Sequence, residues 1–217
     1  MIGHLSGNVK LFSFLASGKD ALHSENEDNA EKGFVYIAGG NFNLTASGDG
    51  ISASGNMTLL DGMYTMTTGG GSENGNDHQE GDPGGQGRPG GGMDNPGDDM
   101  MTGDGNGALD YETDAVITGG ILVAAGSSGM AVNFGDNSTQ GSILVNMDRQ
   151  EAGTDIVLTD ASGTELINWQ TSKKYTSVVI SCPGIAQGES YTLKAGTSET
   201  TVTMDSLIYG TGNTMGR

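Results

Sequence analysis

The sequence predicts an all-β protein: a right-handed parallel β-helix with coils of about 22 residues, followed by a small antiparallel β cap or sandwich. Glycine makes up 39 of the 217 residues, a composition that disfavours helix interiors and suits many tight turns. Three segments share one order of short strands and glycine-containing turns. Short alternating strands separated by turns follow Asn133, as antiparallel hairpins would.

The three similar segments align on the pairs Gly39-Gly40, Asp61-Gly62 and Gly119-Gly120. The first two pairs lie 22 residues apart, about the length of one coil with three strands. Such a coil cannot bury its apolar side alone, so we expect neighbouring coils to stack. An antiparallel β-sandwich with repeated hairpins is the alternative fold.

Alternation along the first segment assigns its side chains to two faces of the predicted sheets. The expected inward residues are Val35, Ile37, Phe42 and Leu44, and the expected outward residues are Tyr36, Asn41 and Asn43.

Two parts of the chain are expected, a β-helix over residues 1–140 and an antiparallel β cap over residues 141–217. The Gly/Asp-rich segment 69–107 interrupts the first part and carries three of the four prolines. It has almost no apolar residues with which to offset its ordering entropy, so we expect a flexible loop.

The charge balance limits the possible partners. The formal net charge is −18, from 9 basic and 27 acidic residues. Nucleic acids and anionic membranes recruit basic patches, so neither is an expected partner, whereas carboxylates can hold hard cations. The single cysteine, Cys182, excludes an intrachain disulfide and is expected to be a small core residue.

The beginning of the chain shows no secretion signal. Residues 1–5 lack a basic stretch followed by a long apolar run, and the apolar segment 11–15 is too short to cross a bilayer. We therefore expect no membrane insertion. Either the protein is cytoplasmic or its export signal has been lost upstream.

Four segments resemble a known family. They are Gly33-Phe-Val-Tyr-Ile-Ala-Gly-Gly-Asn-Phe-Asn-Leu, Gly48-Asp-Gly-Ile-Ser-Ala-Ser-Gly, Gly105-Asn-Gly-Ala-Leu-Asp-Tyr and Ala124-Ala-Gly-Ser-Ser-Gly-Met-Ala. In this order they resemble the bacterial carbohydrate-binding parallel β-helix family of plant-fibre degraders, which is related in fold to polysaccharide lyases. The resemblance implies an extracellular or cell-surface protein that binds plant cell-wall polysaccharides, acidic chains included, with bound calcium.

Calcium prefers six to eight oxygen ligands, and stacked coils can bring equivalent carboxylates together. Asp20 and Asp49 occupy the same position of successive segments, and Asp110 lies nearby in the third. Asp114 coincides with Asn56, and the acidic insertion at 24–29 could add ligands. The candidate Ca²⁺ ligands are Asp20, Asp49, Asp110, Asp114, Glu25 and Asp28.

A flat sheet with outward polar side chains suits an extended glycan, because hydroxyl, amide and phenol groups can bind its hydroxyls. The candidate carbohydrate-binding residues are Tyr36, Asn41, Asn43, Thr58, Tyr64 and Thr65. No catalytic residue is assigned, since no Ser/His/Asp or paired-carboxylate arrangement is present, and we expect a monomeric binding protein rather than an enzyme. A calcium-stiffened structural or adhesion module and a calcium-dependent polysaccharide lyase are the alternatives.

Overall fold

The computed structural model describes residues 12–26, 28–29, 32–69 and 107–210. These residues form strands that belong to four sheets. The strands are β1 (Phe12–Ser17), β2 (Leu22–Ser24), β3 (Val35–Ile37), β4 (Asn41–Ala46), β5 (Ile51–Ala53), β6 (Met57–Leu59), β7 (Met63–Thr67), β8 (Leu109–Tyr111), β9 (Ala115–Ile117), β10 (Ile121–Gly126), β11 (Ser142–Gln150), β12 (Asp155–Asp160), β13 (Glu165–Gln170), β14 (Tyr175–Ser181), β15 (Ser190–Ala195), β16 (Ser198–Thr203) and β17 (Ile208–Tyr209).

The largest sheet has seven strands in the order β1-β4-β7-β10-β14-β11-β17. Two further sheets, β2-β5-β8 and β3-β6-β9, have three parallel strands each. Along the chain their strands lie between β1, β4, β7 and β10 of the largest sheet. The fourth sheet, β13-β12-β15-β16, is antiparallel throughout. Among the described residues no helix is long and apolar enough to cross a bilayer.

The predicted right-handed parallel β-helix of 22-residue coils followed by an antiparallel cap is wrong. The largest sheet is mixed, because β14 pairs antiparallel with both β10 and β11 and so joins this sheet instead of a separate cap. Phe12 pairs with Asn41, 29 residues later, and Asn41 pairs with Met63, 22 residues later. Met63 then pairs with Ile121, 58 residues later, so no single coil length recurs.

Glycine is required at the corners that precede β7 and β10. Gly62 and Gly120 have φ angles of 127° and 86°, in the region that side chains disfavour. A Cβ at Gly62 would lie 2.8 Å from the carbonyl oxygen of Gly40, and one at Gly120 would lie 2.7 Å from the nitrogen of Gly62. The corners of successive strands therefore stack directly on one another, as the alignment on glycine pairs anticipates.

The first core lies between the seven-stranded sheet and the two three-stranded parallel sheets. In this core Val35 on β3 is aligned with Met57 on β6 and Ala115 on β9. Leu44 and Met66 are fully buried partners on β4 and β7. The expected inward residues Val35, Ile37, Phe42 and Leu44 all contact or belong to this core.

A second core lies between the largest sheet and the antiparallel sheet. Its members include Val123 on β10, Ile143 on β11, Ile156 on β12 and Leu193 on β15. The adjacent residues Leu122 and Leu144 belong to the first core instead. Strands β10, β11 and β14 are thus buried on both faces. Strands in such a position typically have continuous apolar runs.

Two sequence predictions remain open on this structure. The segment predicted as a flexible loop, 69–107, lies outside the described residues except at its two ends. The domain boundary near residue 140 stays a prediction.

The stacked corner yields the first testable prediction. Gly120→Ala should lower the free energy of unfolding by about 1–3 kcal/mol more than Gly153→Ala, measured by urea denaturation. Both glycines have positive φ, but a Cβ at Gly153 would meet no atom within 4 Å. Equal losses in the two variants would show that close stacking at the corner adds no constraint.

Burial of the one cysteine gives a second prediction. Desolvation raises the pKa of the Cys182 thiol, more than the backbone amides of Gly184 and Ile185 lower it. Because the thiolate is the reactive form, Cys182 should react with iodoacetamide at neutral pH only after unfolding in urea. Rapid alkylation of the folded protein would contradict its placement in the second core.

Candidate functional site

The outer face of β4 and β7 carries three of the expected glycan contacts. Asn43 is exposed and is the register partner of the half-buried Thr65, whose hydroxyl donates to the Phe42 carbonyl at 3.4 Å. Asn41 is half-buried and is paired with Met63, which is 47% exposed. This face therefore combines amide, hydroxyl and thioether groups on adjacent strands.

The outer face of β3, β6 and β9 carries two more expected contacts. Tyr36 is exposed and is aligned with Thr58, which is in turn aligned with Val116. Phe34 precedes β3 by one residue and is also exposed. Sequence reasoning missed Phe34, although its position two residues before Tyr36 predicts that the two side chains share one face.

Tyr64 does not lie on an outer face, so its prediction as a glycan contact is wrong. Its side chain is fully buried, and its ring stacks on Phe42 with centroids 5.2 Å apart and planes 4° apart. Its hydroxyl donates to the Asp61 carbonyl at 2.7 Å. Burial, assisted by the charge of Asp61, raises the pKa of the Tyr64 phenol.

Two of the expected calcium ligands are connected along the corner that precedes β2, β5 and β8. The amide of Asp49 donates to Asp20 Oδ1 at 2.8 Å, and the amide of Gly107 donates to Asp49 Oδ1 at 2.7 Å. Each carboxylate thus binds the backbone of the next segment. The equivalence of Asp20 and Asp49 is present in the structure, and its visible role is to link successive segments.

Further expected ligands lie on the outer face of β2, β5 and β8. His23, Ser52 and Asp110 are register partners, and the Ser52 hydroxyl donates to Asp110 Oδ2 at 3.2 Å. His23 Nδ1 lies 3.1 Å from Asp20 Oδ2, and its Nε2 lies 3.3 Å from Glu25 Oε2. We define Asp20, Asp49, Asp110 and Glu25 as the acidic face.

The remaining expected ligands lie elsewhere. Asp114 precedes β9, in a different sheet, and its Oδ2 accepts a hydrogen bond from Asn137 Nδ2 at 2.8 Å. Asp28 is exposed in the connection between β2 and β3. No group of three or more His, Cys, Asp or Glu side chains in the described ranges is arranged to hold a metal ion.

An open depression lies beside the irregularity in β11, where the pairing with β14 shifts between Asn146 and Gln150. Its volume is about 590 Å³, and no residue expected from the sequence lines it. The Gln150 side chain is occupied there, since its Oε1 accepts hydrogen bonds from the amide and hydroxyl of Thr197. The lining residues are Asn146, Met147, Asp148, Gln150, Thr197 and Ser198.

Comparison with protein families matches nearly the whole chain, residues 6–214, to a family described as "Carbohydrate-binding domain-containing protein". Comparison with curated proteins finds no significant match. Comparison with solved structures likewise finds none. The match extends over both the strands that carry the outer faces and the C-terminal antiparallel sheet. The chain therefore belongs to this family of carbohydrate-binding domain-containing proteins.

Proposed function

We propose that the protein binds plant cell-wall polysaccharides without cleaving them, and that the glycan lies along the outer faces of the parallel strands. The observation that carries this proposal is the carbohydrate-binding family match over residues 6–214. The outer faces support it because they align polar and aromatic side chains on consecutive strands. The expected contacts that remain exposed or half-buried are Tyr36, Asn41, Asn43, Thr58 and Thr65.

An extended ligand fits these faces better than a monosaccharide in a deep pocket. The register partners Asn43 on β4 and Thr65 on β7 place two hydrogen-bonding side chains about 4.8 Å apart, and the same row continues to the exposed Phe14 on β1. A chain of sugars crossing the strands could therefore contact several side chains of one row. Weak contacts repeated along one ligand add up to useful affinity.

The shifted pKa values in the described residues favour binding over catalysis. Burial is the main cause of the raised pKa of Tyr64, Tyr111, Tyr175 and Cys182. The pKa of Asp160 is lowered by the Ser162 hydroxyl and the Thr164 amide, which form an exposed turn. These shifts have structural causes and do not pair an acid with a base near an outer face.

Acidic chains such as pectin need a cation as a bridge. A protein of net charge −18 repels an anionic polysaccharide, and calcium can bind protein and uronate carboxylates together. We propose that the acidic face holds this calcium and that its carboxylates move together around the cation, since no three of the described side chains are already arranged as a metal site. Asp20 and Asp49 each use one oxygen to accept an amide, but a carboxylate offers about four lone-pair positions, so metal binding remains compatible with these bonds.

The proposed ligand also sets the expected location and assembly. Plant cell-wall polysaccharides are extracellular, and a protein that binds them must reach them. We therefore propose an extracellular or cell-surface protein. We further propose that it acts as a monomer, with the three outer faces of the parallel strands open to the glycan.

Glycan binding can be tested directly. In affinity gel electrophoresis, the protein should be retarded by plant cell-wall glycans, and retardation by polygalacturonate should require calcium. Retardation by neither neutral glycans nor polygalacturonate would contradict the proposed function. Release of unsaturated uronate from polygalacturonate would instead identify a lyase, with Lys19 and Lys32 the first residues to replace.

Calcium binding can be tested through stability. At a hundredfold excess over Kd, calcium should raise the free energy of unfolding by about 2.7 kcal/mol relative to EDTA. Asp49→Asn should remove much of this gain, because the amide weakens metal binding yet can still accept from Gly107. In EDTA, Asp49→Ala should be about 1 kcal/mol less stable than Asp49→Asn, because the acceptor is lost.

The control for these variants is Asp136→Ala, which also removes one negative charge but lies exposed in the turn after Phe134. It should retain the calcium response. A melting curve indifferent to both calcium and EDTA would contradict the calcium proposal. A calcium response without retention by any glycan would indicate the structural module.

A further inference from the structure

Two exposed aromatic side chains lie at the beginning of β3, Phe34 directly before the strand and Tyr36 within it. Phe34 is 57% exposed and Tyr36 is 53% exposed, whereas Val35 between them is only 9% exposed and packs into the first core. Side chains two residues apart on an extended strand lie on one face, about 6.6 Å apart along it. Isolated exposed apolar residues are ordinary, but two adjacent rings on one face form a patch.

The backbone beneath this patch is held in place. The amide of Val35 donates to the Asn56 carbonyl at 2.9 Å, and β3 pairs with β6 in register. Inward packing of Val35 and Met57 anchors both strands to the core. The two rings are therefore presented by a fixed sheet, which limits the entropy lost when a ligand binds.

Polar groups continue the same face beyond the rings. Thr58 is the register partner of Tyr36, and the exposed Asn56 lies two residues before it. A pyranose ring has an apolar face of C–H groups and a polar edge of hydroxyls. The aromatic rings match the apolar face, and the hydroxyl and amide groups on β6 match the edge.

The charge near this face favours a neutral sugar. Asp114 directly precedes β9 on the far side of β6, and no member of the acidic face lies in this sheet. The acidic face belongs to the other three-stranded sheet, β2-β5-β8. Stacking on Phe34 and Tyr36 requires no cation, whereas the net charge of −18 would repel a uronate chain.

We propose that Phe34 and Tyr36 form a calcium-independent stacking platform for neutral pyranose chains on the outer face of β3 and β6. This inference rests on the proposed carbohydrate-binding function and adds a second, separate site to it. Neutral chains bind at the platform, and uronate chains bind through calcium at the acidic face.

The test compares variants of the full chain by isothermal titration calorimetry, with cellohexaose and hexagalacturonate as probes, each in EDTA and in calcium. The wild-type protein should bind cellohexaose equally in both conditions. Phe34→Ala and Tyr36→Ala should each weaken that binding by about fivefold or more, since a stacked aromatic ring contributes roughly 1 kcal/mol. Tyr36→Phe, which keeps the ring, should change Kd by less than about twofold.

Met130→Ala is the matched control, because it removes a comparably exposed apolar side chain, 45% exposed, from the turn that follows β10. It should leave cellohexaose binding unchanged. All four variants should keep the urea midpoint of the wild type, because the replaced side chains are exposed. Calcium-dependent binding of hexagalacturonate should survive Phe34→Ala and Tyr36→Ala.

Unchanged cellohexaose binding in both alanine variants would overturn the platform but leave the proposed function standing. The platform would also be overturned, and the proposed function would still stand, if the wild-type protein bound hexagalacturonate but not cellohexaose. A concentration-dependent dimer that Phe34→Ala dissociates would overturn the platform by showing that a second copy covers the patch. Failure of the wild type to bind either probe or any cell-wall glycan would contradict the proposed function itself.

Discussion

Strands β10, β14 and β11 form a wall with a hydrophobic core on each side, and both halves of the protein depend on this shared packing. On β14, Val179 packs into the first core, while Val178 and Ile180 pack into the second. The alternation is continuous across the wall, because Ala124 and Leu144 are the register partners of Val179. Burial on both faces makes this the part of the sheet least tolerant of polar substitution.

The wall also determines which surfaces remain open. The antiparallel sheet covers the outer side of β10, β14 and β11, whereas the outer face of β4 and β7 retains exposed Asn43 and Met63. Buried polar contacts fix this border. Lys173 Nζ donates to the Ala46 carbonyl at 2.6 Å, and the Thr171 hydroxyl donates to that of Thr67 at 3.1 Å. These two contacts join the ends of β4 and β7 to the connection between β13 and β14, which limits movement at that end of the open face.

Sequence periodicity predicted the local geometry better than the global fold. The alignment on glycine pairs agrees with the register that places Asn41 beside Met63 and Ile121, because only glycine allows such close stacking at the corners. The same alignment places Tyr64 beside the inward Phe42 and so predicts an inward Tyr64. The contrary prediction rests on the polarity of the tyrosine hydroxyl and fails because the register buries the ring.

The mixed sheet was missed for a related reason. Alternation is incomplete in the strands after Asn133, because runs such as 178–180 and 143–145 are continuously apolar, a pattern typical of strands buried on both faces. Strand direction and partner choice depend on long-range packing that local patterns do not encode. The aspartate links had a sequence signal in the shared position of Asp20 and Asp49, but nothing in the sequence distinguishes a carboxylate that binds an amide from one that binds calcium.

The most direct test of a glycan-binding outer face is a hydrogen-exchange footprint, recorded with and without cellohexaose and with hexagalacturonate in calcium. Cellohexaose should slow amide exchange in β3, β4, β6 and β7, and hexagalacturonate with calcium should slow it in β2, β5 and β8, because a bound chain restricts opening of the strands beneath it. The antiparallel sheet of β12, β13, β15 and β16 should exchange at the same rate in all samples. Protection confined to that sheet, or to the depression beside Asn146 and Thr197, would contradict the account.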